Sequence, residues 1–377
     1  MGAEARRSPA LALLVGALAL AGAAASARAQ EPFGYAVVAP DFSVNGAGTN
    51  VDSIAFWEAP DPADTLLLVT AKGNQRVEVW RLPFAGNQQP ALLHASFGTG
   101  TQVNGVAVDP ATDRLFIAVS SPESTVSLFS LPGLGFLGEF IAGAVNLRSE
   151  PNLALLDHAS GSRWLYVSAD TVAYVRDAAS GAAVGQFTPT AGLETMAADD
   201  LAQVIYIPDE NGRTGVYAYE PLGAPHLRAG TNRFGAGVFD ADAEGILIYR
   251  CRAAGGADTG AGWIVVSDQR ADHTEFEFFD RRSWRHLGAV ELTGVSNTDG
   301  IGSTQRALPG WPQGLFAAID DDTSTAGVGW HRIFAATGLA CPFAPELPAL
   351  APGGRGLLAA LLVAAGIGSL ALRARRR

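Results

Sequence analysis

Short apolar runs separated by polar turns recur along most of the chain. Each run is rich in β-branched and aromatic residues, and a second run of the same kind follows it after a polar stretch. Two such runs joined by a polar turn are typical of two adjacent strands, so the pattern predicts six pairs of strands. The predicted pairs are 66–70 with 77–81, 115–119 with 126–131, 164–167 with 172–175, 204–207 with 216–219, 263–266 with 275–279, and 315–319 with 329–334.

The spacing of these pairs indicates a repeating domain. Their first strands begin at residues 66, 115, 164, 204, 263 and 315. A spacing of about fifty residues suits a four-stranded blade, and six units predict an all-β, six-bladed β-propeller with antiparallel blades. A large β-sandwich or a solenoid would give a similar period, and periodicity alone leaves both open. Helical patterns are nearly absent outside the two ends of the chain.

The N-terminal end differs in composition from the repeating part. Arg6 and Arg7 precede an apolar run over residues 10–25, and Ala27-Arg28-Ala29 offers a cleavage site flanked by small residues. A charged part, an apolar part and a small-residue site predict a secretory signal peptide over 1–29. A membrane anchor is the weaker alternative, because the apolar core is short and rich in alanine and glycine.

The C-terminal end has three parts of its own. A proline-containing linker over 341–355 leads to the segment 356–377, in which an uncharged stretch ends in a cluster of arginines. This arrangement resembles the exosortase-type (PEP-CTERM-like) sorting signals of Gram-negative bacteria. The arginines of a marginal transmembrane helix would stay cytoplasmic. We therefore expect a sorting protease and the membrane as partners of the tail. The propeller, over 30–340, would be exported and then held at the cell surface or released.

Charge and cysteine content narrow the setting of the propeller. The whole chain has a formal net charge of −11. The two predicted end segments carry more arginines than acidic residues, so the propeller itself is more acidic than the whole chain. Such a balance argues against a nucleic acid partner. An anionic substrate would need bound cations that invert the local field. The cysteines, Cys251 and Cys341, could pair in an oxidising compartment, although sequence does not show whether their geometry permits it.

Acidic residues gather at predicted strand ends between positions 242 and 299. The sequence Asp-Ala-Glu-Gly at 242–245 precedes an apolar run, Ser-Asp-Gln at 267–269 follows another, and Asn-Thr-Asp-Gly occupies 297–300. Carboxylates contributed by several turns suit a hard, oxygen-seeking cation such as Ca²⁺. A lone acidic residue at a strand end more often forms a turn or is solvated, and the acidic runs at 199–200 and 320–322 alone predict surface turns.

Five segments of the chain resemble the β-propeller phytases, which are Ca²⁺-dependent phosphatases acting on inositol hexakisphosphate. They follow the family's order and spacing: ADAEGILIY at 241–249, WIVVSDQ at 263–269, FEFFDRRSWRHLGAVEL at 276–292, NTDGI at 297–301 and GLFAAIDDD at 314–322. The resemblance extends over residues 50–336. It implies a monomeric, secreted phosphomonoesterase of the 3-phytase type that takes phytate or another phosphomonoester and requires Ca²⁺.

The resemblance also implies roles for particular residues. The metal ligands that it implies are Asp52, Glu194, Asp242, Glu244 and Asp299. The substrate-site residues that it implies are Lys72, Glu210, Gln269 and Asp299. Lys72 would meet a substrate phosphate, and Glu210 would face the phosphate site and activate water. The occurrence of these acidic residues together in family order favours this interpretation over isolated surface charges.

The chain departs from the family pattern at the cationic groups that bind phosphate. Pro122 stands near the position of a family arginine, Asn152 near that of a tyrosine, and Asp170 near that of a lysine. The carboxylate centre is therefore mostly retained, whereas charge-assisted hydrogen bonds to phosphate are lost. We expect weaker binding of phosphate-rich substrates than in complete family members.

The same departures keep a second function open, a non-catalytic surface propeller that serves as a binding scaffold. The position of the remaining arginines discriminates between the two functions. The arginines concerned are Arg76, Arg213, Arg233, Arg270 and Arg306. The scaffold would be favoured if none of them pointed at the carboxylate cluster.

Overall fold

The computed structural model describes residues 30–46, 49–82, 93–96, 102–121, 124–142, 147, 150–169, 171–210 and 212–341. The predicted signal peptide, the linker beyond Cys341 and the predicted tail over 356–377 lie outside the described residues, as do Pro122 and Asp170. In the part that is described, no helix is both long and apolar enough to cross a membrane.

Most of the described chain consists of strands. The strands of the first half are β1 (Gly34–Val38), β2 (Phe42–Val44), β3 (Val51–Trp57), β4 (Leu66–Ala71), β5 (Arg76–Arg81), β6 (Leu93–Ser96), β7 (Gln102–Asp109), β8 (Arg114–Ser121), β9 (Thr125–Ser130), β10 (Gly135–Ala142), β11 (Leu153–Asp157), β12 (Arg163–Ala169), β13 (Val172–Asp177) and β14 (Ala183–Phe187). Those of the second half are β15 (Ala197–Asp199), β16 (Val204–Pro208), β17 (Val216–Tyr219), β18 (Arg233–Phe234), β19 (Asp242–Arg252), β20 (Asp258–Gln269), β21 (Thr274–Asp280), β22 (His286–Leu292), β23 (Ile301–Thr304), β24 (Leu315–Asp320) and β25 (Ser324–Gly329). The helical elements among the described residues are two 3₁₀ turns, Pro62–Asp64 and Lys72–Asn74, and the α-helix α1 (Trp330–Thr337).

The strands form six sheets, and the predicted six-bladed propeller is confirmed. Blades 1 to 4 are the antiparallel sheets β3–β6, β7–β10, β11–β14 and β15–β18. Blade 5 contains β19–β22, and blade 6 contains β23–β25. The N-terminal segment completes the last two blades, because β2 pairs antiparallel with β25 and β1 pairs parallel with β22. Strands from both ends of the propeller thus share sheets, and this closes the ring.

The hydrophobic core lies between neighbouring blades. In β4, Leu66 and Leu68 pack into the cluster shared with blade 2, while Leu67 and Val69 pack into the cluster shared with blade 6. Successive side chains of a strand point to opposite faces, so a strand sandwiched between two blades needs apolar residues at every position. All six residues of β4 are buried accordingly. This explains why the sequence shows continuous apolar runs rather than alternation.

The first strands of the blades surround the central channel. Each of β3, β7, β11, β15, β19 and β23 contacts its counterparts in both neighbouring blades. Residues at the N-terminal ends of these strands lie side by side, as Gly300 does with Asp52 and Gly105 with Asn152. The N-terminal ends of the inner strands therefore meet at one mouth of the channel.

The predicted strand over 329–334 is wrong. The last strand, β25, ends at Gly329, and the following residues form α1, which Gly338 terminates in a left-handed conformation. The buried residues of α1, Trp330, Ile333 and Thr337, recur at helical spacing. The sequence of β25 is small and weakly β-forming, and it becomes a strand because β24 and β2 pair with it on both sides.

The two cysteines form a disulfide, with their Cα atoms 5.3 Å apart. Cys251 lies in β19, and Cys341 follows α1. The bond therefore ties the C-terminal end of the propeller to blade 5.

Candidate active site

The sequence-predicted site residues lie at the channel mouth where the inner strands begin. Asp52 is the second residue of β3, Asp242 and Glu244 open β19, Glu194 precedes β15, and Asp299 precedes β23. The turns that follow the second strands lie at the same mouth, because those strands run antiparallel to the inner ones. These turns and strand ends carry Lys72, Glu210 and Gln269.

Two glycines allow adjacent blades to approach closely at this mouth. A Cβ atom at Gly300 would lie 2.0 Å from the backbone oxygen of Asp52, and one at Gly245 would lie 2.8 Å from that of Asp299. Only glycine therefore fits between the blades at both positions. The glycine that ends each acidic motif thus brings carboxylates from blades 5, 6 and 1 together.

The carboxylates form two overlapping groups. Oxygen atoms of Asp52, Glu150 and Glu194 lie within 4.8 Å of one another, and so do those of Glu194, Glu210 and Glu244. Glu194 belongs to both groups and links them. Of the five predicted metal ligands, Asp52, Glu194 and Glu244 thus lie in these groups. Their role as ligands stays a prediction.

Asp299 and Gln269 extend this centre toward blade 6. The Nε2 atom of Gln269 donates a hydrogen bond to Oδ1 of Asp299. Burial, followed by the charges of Asp52 and Asp322, raises the pKa of Asp299 to about 8. Asp299 therefore lies close enough to Asp52 to share its electrostatic environment.

Lys72 is buried against two carboxylates. Its Nζ atom lies 3.0 Å from Oδ1 of Asp52 and 2.7 Å from Oε1 of Glu150. Burial favours the neutral amine, but the two carboxylates outweigh it and raise the pKa of Lys72. Although burial opposes ionisation of Glu150, the hydrogen bond and charge of Lys72 lower its pKa. Lys72 is thus a cation at this site, and its ammonium group already pairs with Asp52 and Glu150.

The other carboxylates of the cluster resist ionisation in the absence of a cation. Burial and then the charge of Glu244 raise the pKa of Glu194 to about 12. Burial and then the charge of Glu210 raise the pKa of Glu244 to about 9. Burial also raises the pKa of Asp52, against the opposing charge of Lys72. Like charges that repel at short range and lack water are the arrangement that a bound cation relieves.

Two carboxylate oxygens at the mouth lack partners. Oε2 of Glu244 and Oδ1 of Asp322 are buried and accept no hydrogen bond from the described residues. A buried oxygen without a donor costs free energy unless another group, such as a metal ion, satisfies it. Below these carboxylates, a cavity of about 90 Å³ continues into the channel between Ser53, Asn152 and Gly245.

An arginine lies at the rim of the cluster. Nε of Arg213 is 2.9 Å from Oδ1 of Asp242, and both side chains are partly exposed, by 51% and 40%. Nη1 of Arg213 donates to the backbone oxygen of Asp240 at 3.0 Å. Arg213 follows β16 in the same turn region as Glu210. One of the five arginines named from the sequence therefore points at the cluster.

The remaining four arginines have other partners. These are Glu78 for Arg76, the ring of Tyr217 for Arg233, Asp268 for Arg270, and the backbone oxygens of Ala59 and Pro60 for Arg306.

Glu150 and Asp322 also belong to this site, although neither lies in a motif that predicts it. Glu150 precedes β11 and shows no motif of its own, so only its contacts in the folded chain, with Lys72, Asp52 and Glu194, identify it. Asp322 belongs to the acidic run that alone predicts a surface turn, yet its charge is one of the causes that raise the pKa of Asp299. The run directly follows the predicted strand over 315–319. That position could have indicated that Asp322 lies at the same mouth as Asp299.

Comparisons with known proteins support the fold and indicate a family. A family model described as Phytase matches residues 168–336, a range that contains Glu194, Glu210, Asp242, Glu244, Gln269 and Asp299. Among solved structures, a chain from a crystal structure of the mitotic checkpoint complex superposes with a TM-score of 0.50 and 10% identity over 87% of this chain and 96% of that chain. The WD40 domain of Neurospora crassa Pan2 gives a TM-score of 0.46 and 12% identity over 74% and 77% of the two chains. At this identity the first structure is similar in fold alone.

Proposed function

This chain belongs to the β-propeller phytase family, and from that premise we propose that it is a Ca²⁺-dependent phosphomonoesterase of the 3-phytase type. Its substrate would be inositol hexakisphosphate or a related phosphoester. The family domain supports a phytase-type phosphoesterase. The observation that carries the more specific proposal is the pair of linked carboxylate groups at one channel mouth, which share Glu194.

The residues present suit calcium in number and in kind. All the donors are oxygen atoms from carboxylates, they come from several blades, and one of them, Oε2 of Glu244, is buried without a partner among the described residues. Hard cations such as Ca²⁺ take six to eight oxygen ligands in flexible arrangements. We infer that Asp52, Glu194 and Glu244 hold calcium, with Asp242 and Asp299 completing the set from the rim and from blade 6. When bound, calcium would neutralise phosphate oxygens and lower the pKa of a water molecule.

The chain's own residues would then orient the reaction. Glu210 lies within 4.8 Å of Glu194 and Glu244 in oxygen-to-oxygen distance, at the edge of the cluster. There it would accept a proton from the water that attacks phosphorus. The ester bond to phosphorus breaks, and the leaving oxygen takes up a proton from solvent and departs as the alcohol. Lys72, which lies against Asp52 and Glu150, would contribute positive charge toward a phosphate of the substrate. Gln269 would hold Asp299 in position through its hydrogen bond. The chemistry requires no covalent nucleophile.

The binding scaffold is the less supported alternative. It would be favoured if no arginine pointed at the carboxylates, and Arg213 contacts Asp242 directly. A scaffold would also have no need for several carboxylates whose burial and mutual repulsion raise their pKa, as they do for Glu194 and Glu244. Perturbed acidic groups gathered in a cleft are more typical of a functional site.

We further propose that the protein acts outside the cytoplasm. The predicted signal peptide over 1–29 and the predicted sorting tail over 356–377 support export followed by surface attachment or release. The disulfide between Cys251 and Cys341 supports the same conclusion, because such bonds persist in oxidising compartments. Fractionation of cells that express the full chain, followed by mass determination of the exported form, would test both processing steps.

Phosphate release from phytate by the purified protein tests the proposed activity. We expect release with Ca²⁺ and none with excess chelator, with recovery when Ca²⁺ is restored. A simple phosphomonoester serves as a second substrate. Calcium binding without release of phosphate from either compound would contradict the proposal and favour the scaffold.

A further inference from the structure

A second cavity occupies the channel beyond the one that lies below the carboxylates. Its volume is about 310 Å³, which is within the range of small-molecule sites. Met196 lines both cavities, and late residues of the inner strands, such as Ile248 in β19 and Ser303 in β23, line the larger one. Since the inner strands begin at the acidic mouth, these residues lie toward the opposite mouth. The described lining of this space, the distal cavity, contains none of the predicted site residues.

The backbone makes the wall of the distal cavity polar. The strands β11, β15, β19 and β23 contribute to the lining, and each is an edge strand of its sheet. The unpaired edge of such a strand presents backbone N–H and C=O groups. Ser303 adds a hydroxyl group whose oxygen accepts a hydrogen bond from Nε1 of Trp330 at 2.9 Å, which leaves the hydroxyl proton to be donated. A molecule held in this cavity must therefore offer several hydrogen-bonding groups of its own.

Two side chains of the same wall contain buried donors without an acceptor. Nε2 of Gln305 and Nε of Arg250 have no hydrogen-bond partner among the described residues, and both residues line the distal cavity. Oδ2 of Asp258 lies 3.8 Å from Nε of Arg250, which is beyond hydrogen-bond distance. Buried donors of this kind cost free energy, and acceptor atoms of a ligand would recover part of it.

Two charged side chains of opposite sign also line the distal cavity. Arg252 is exposed at the end of β19, and its Nη1 atom donates to the backbone oxygen of Gly256 at 3.1 Å. Glu58 is exposed directly after β3, and its Oε1 atom accepts a hydrogen bond from Oγ1 of Thr304 at 2.6 Å. Neither side chain forms an ion pair with a described residue, so neither neutralises the other. The cavity therefore offers one positive and one negative group to a ligand.

From this geometry we propose that the distal cavity binds a small zwitterion, a free α-amino acid or a short peptide. The carboxylate of the ligand would meet the guanidinium fork of Arg252, and its ammonium group would meet the carboxylate of Glu58. The strand edges and Gln305 would bind its amide groups. A phosphate dianion suits the cavity less well, because Glu58 would repel it. The proposal does not depend on the phosphoesterase activity, since the residues proposed for that activity lie at the other mouth.

Calorimetric titration of the purified protein with glycine, diglycine and triglycine tests this site. Excess chelator is present throughout, so that calcium at the acidic mouth does not bind the carboxylate of the ligand. We expect saturable binding of one molecule per chain by at least one member of the series. The N-acetylated form and the C-terminal amide of the tightest member should each bind about tenfold more weakly or worse, the effect of losing one charged hydrogen bond.

Two variants assign the two ends of the ligand. Glu58→Gln should weaken binding of the unblocked ligand about tenfold and leave that of its N-acetylated form unchanged, because that form has no ammonium group to lose. Arg252→Gln should have the same pair of effects with the C-terminal amide. Glu139→Gln and Arg285→Gln are the matched controls, since both residues are exposed and lie outside the lining of the distal cavity.

Three results would overturn the proposal. They are the lack of saturable binding by the whole series, equal affinity for blocked and unblocked forms, and unchanged affinity in either Glu58→Gln or Arg252→Gln. Inorganic phosphate is titrated in parallel, and tighter binding of phosphate than of every member of the series would also overturn it. Glu244→Gln, at the acidic mouth, should bind the zwitterion as the unaltered protein does. A failure of the phosphoesterase proposal is thereby distinguishable from a failure of this one.

Discussion

Glu244 combines burial, repulsion and an unsatisfied oxygen in one side chain. It is 6% exposed, burial and neighbouring charges raise its pKa to about 9, and its Oε2 atom lacks a partner among the described residues. Each of these properties is unfavourable in a cation-free protein. Together they make Glu244 the residue on which the proposed cation site depends most.

We predict that Glu244→Gln weakens Ca²⁺ binding and abolishes calcium-dependent phosphate release. The substitution keeps the size of the side chain and removes one negative charge from the cluster. A direct ligand should cost more than the roughly 10- to 100-fold loss of metal affinity that is typical of an outer-shell partner. Calorimetric titration with Ca²⁺ measures the effect. Asp321→Asn is the control, because Asp321 is exposed in the neighbouring acidic turn. A larger loss in the control would mean that the acidic turn holds the cation instead.

Glu150 restrains Lys72, and removing its charge should free the ammonium for substrate. The Oε1 atom of Glu150 is 2.7 Å from Nζ of Lys72, and the carboxylate is about half exposed. We predict that Glu150→Gln lowers the KM for phytate roughly two- to fivefold, on the scale of an ion pair in which one partner is half exposed. Initial rates against phytate concentration provide the measurement.

The matched control for Glu150 is Glu220→Gln, which removes a partly exposed carboxylate that binds His226 elsewhere in the propeller. A rise in KM, together with a smaller stabilisation by Ca²⁺, would instead identify Glu150 as a cation ligand of the group that it forms with Asp52 and Glu194.

At the scale of strands, the cluster depends on how closely the inner strands approach one another. β23 begins one residue after Gly300, and a Cβ atom there would lie 2.0 Å from the backbone oxygen of Asp52 at the start of β3. The motif Asn-Thr-Asp-Gly therefore contributes both a carboxylate and the space that brings it beside the carboxylate of Asp52. The glycine of Asp-Ala-Glu-Gly has the same role between blades 5 and 6.

We predict that Gly300→Ala destabilises the protein by about 1–3 kcal/mol, the usual cost of forcing an extra carbon into a packed contact. It should also weaken Ca²⁺ binding, because blades 6 and 1 must separate at the mouth. Chemical denaturation with and without Ca²⁺ measures both effects. Gly255→Ala is the control, since a Cβ atom there meets nothing within 4 Å. Equal stability of the two variants would show that the close approach of Gly300 and Asp52 has no energetic role.

At the scale of the whole molecule, ring closure assembles the acidic mouth from segments that are far apart in the chain. β1 and β2 pair with the last two blades, and the disulfide holds the C-terminal end against β19. The ring thereby positions Asp52 of blade 1 beside Asp299 of blade 6, and their carboxylates repel each other where these blades meet. Stability of the entire propeller should therefore respond to protons and to cations at this one place.

We predict that calcium raises the melting temperature more at pH 8 than at pH 5. Without a cation, the pKa values of Glu244 and Asp299 are raised to about 9 and about 8 from their ordinary 4.5 and 3.8. The folded state then holds more protons than the unfolded state between about pH 4 and pH 9, so its stability falls as pH rises through that window. Calcium needs the ionised carboxylates, and its effect grows as the protons leave. Thermal unfolding in chelator and in Ca²⁺ at both pH values checks this, and an equal or smaller gain at pH 8 would refute it.

The apolar runs by themselves predicted the six repeats and every predicted strand except 329–334, because a strand packed between two neighbouring blades must be apolar on both faces. The motifs around Glu244 and Asp299 likewise indicated where carboxylates would gather, since each places an acidic residue and a glycine at the start of an inner strand. The partners of Lys72, the approach of Asp322 to Asp299 and the contact of Arg213 with Asp242 followed only from the folded ring. They join residues from different blades or from turns without a motif of their own. Local pattern encodes what adjacent residues do, whereas closure of the ring sets the distance between residues that the chain separates by tens to hundreds of positions.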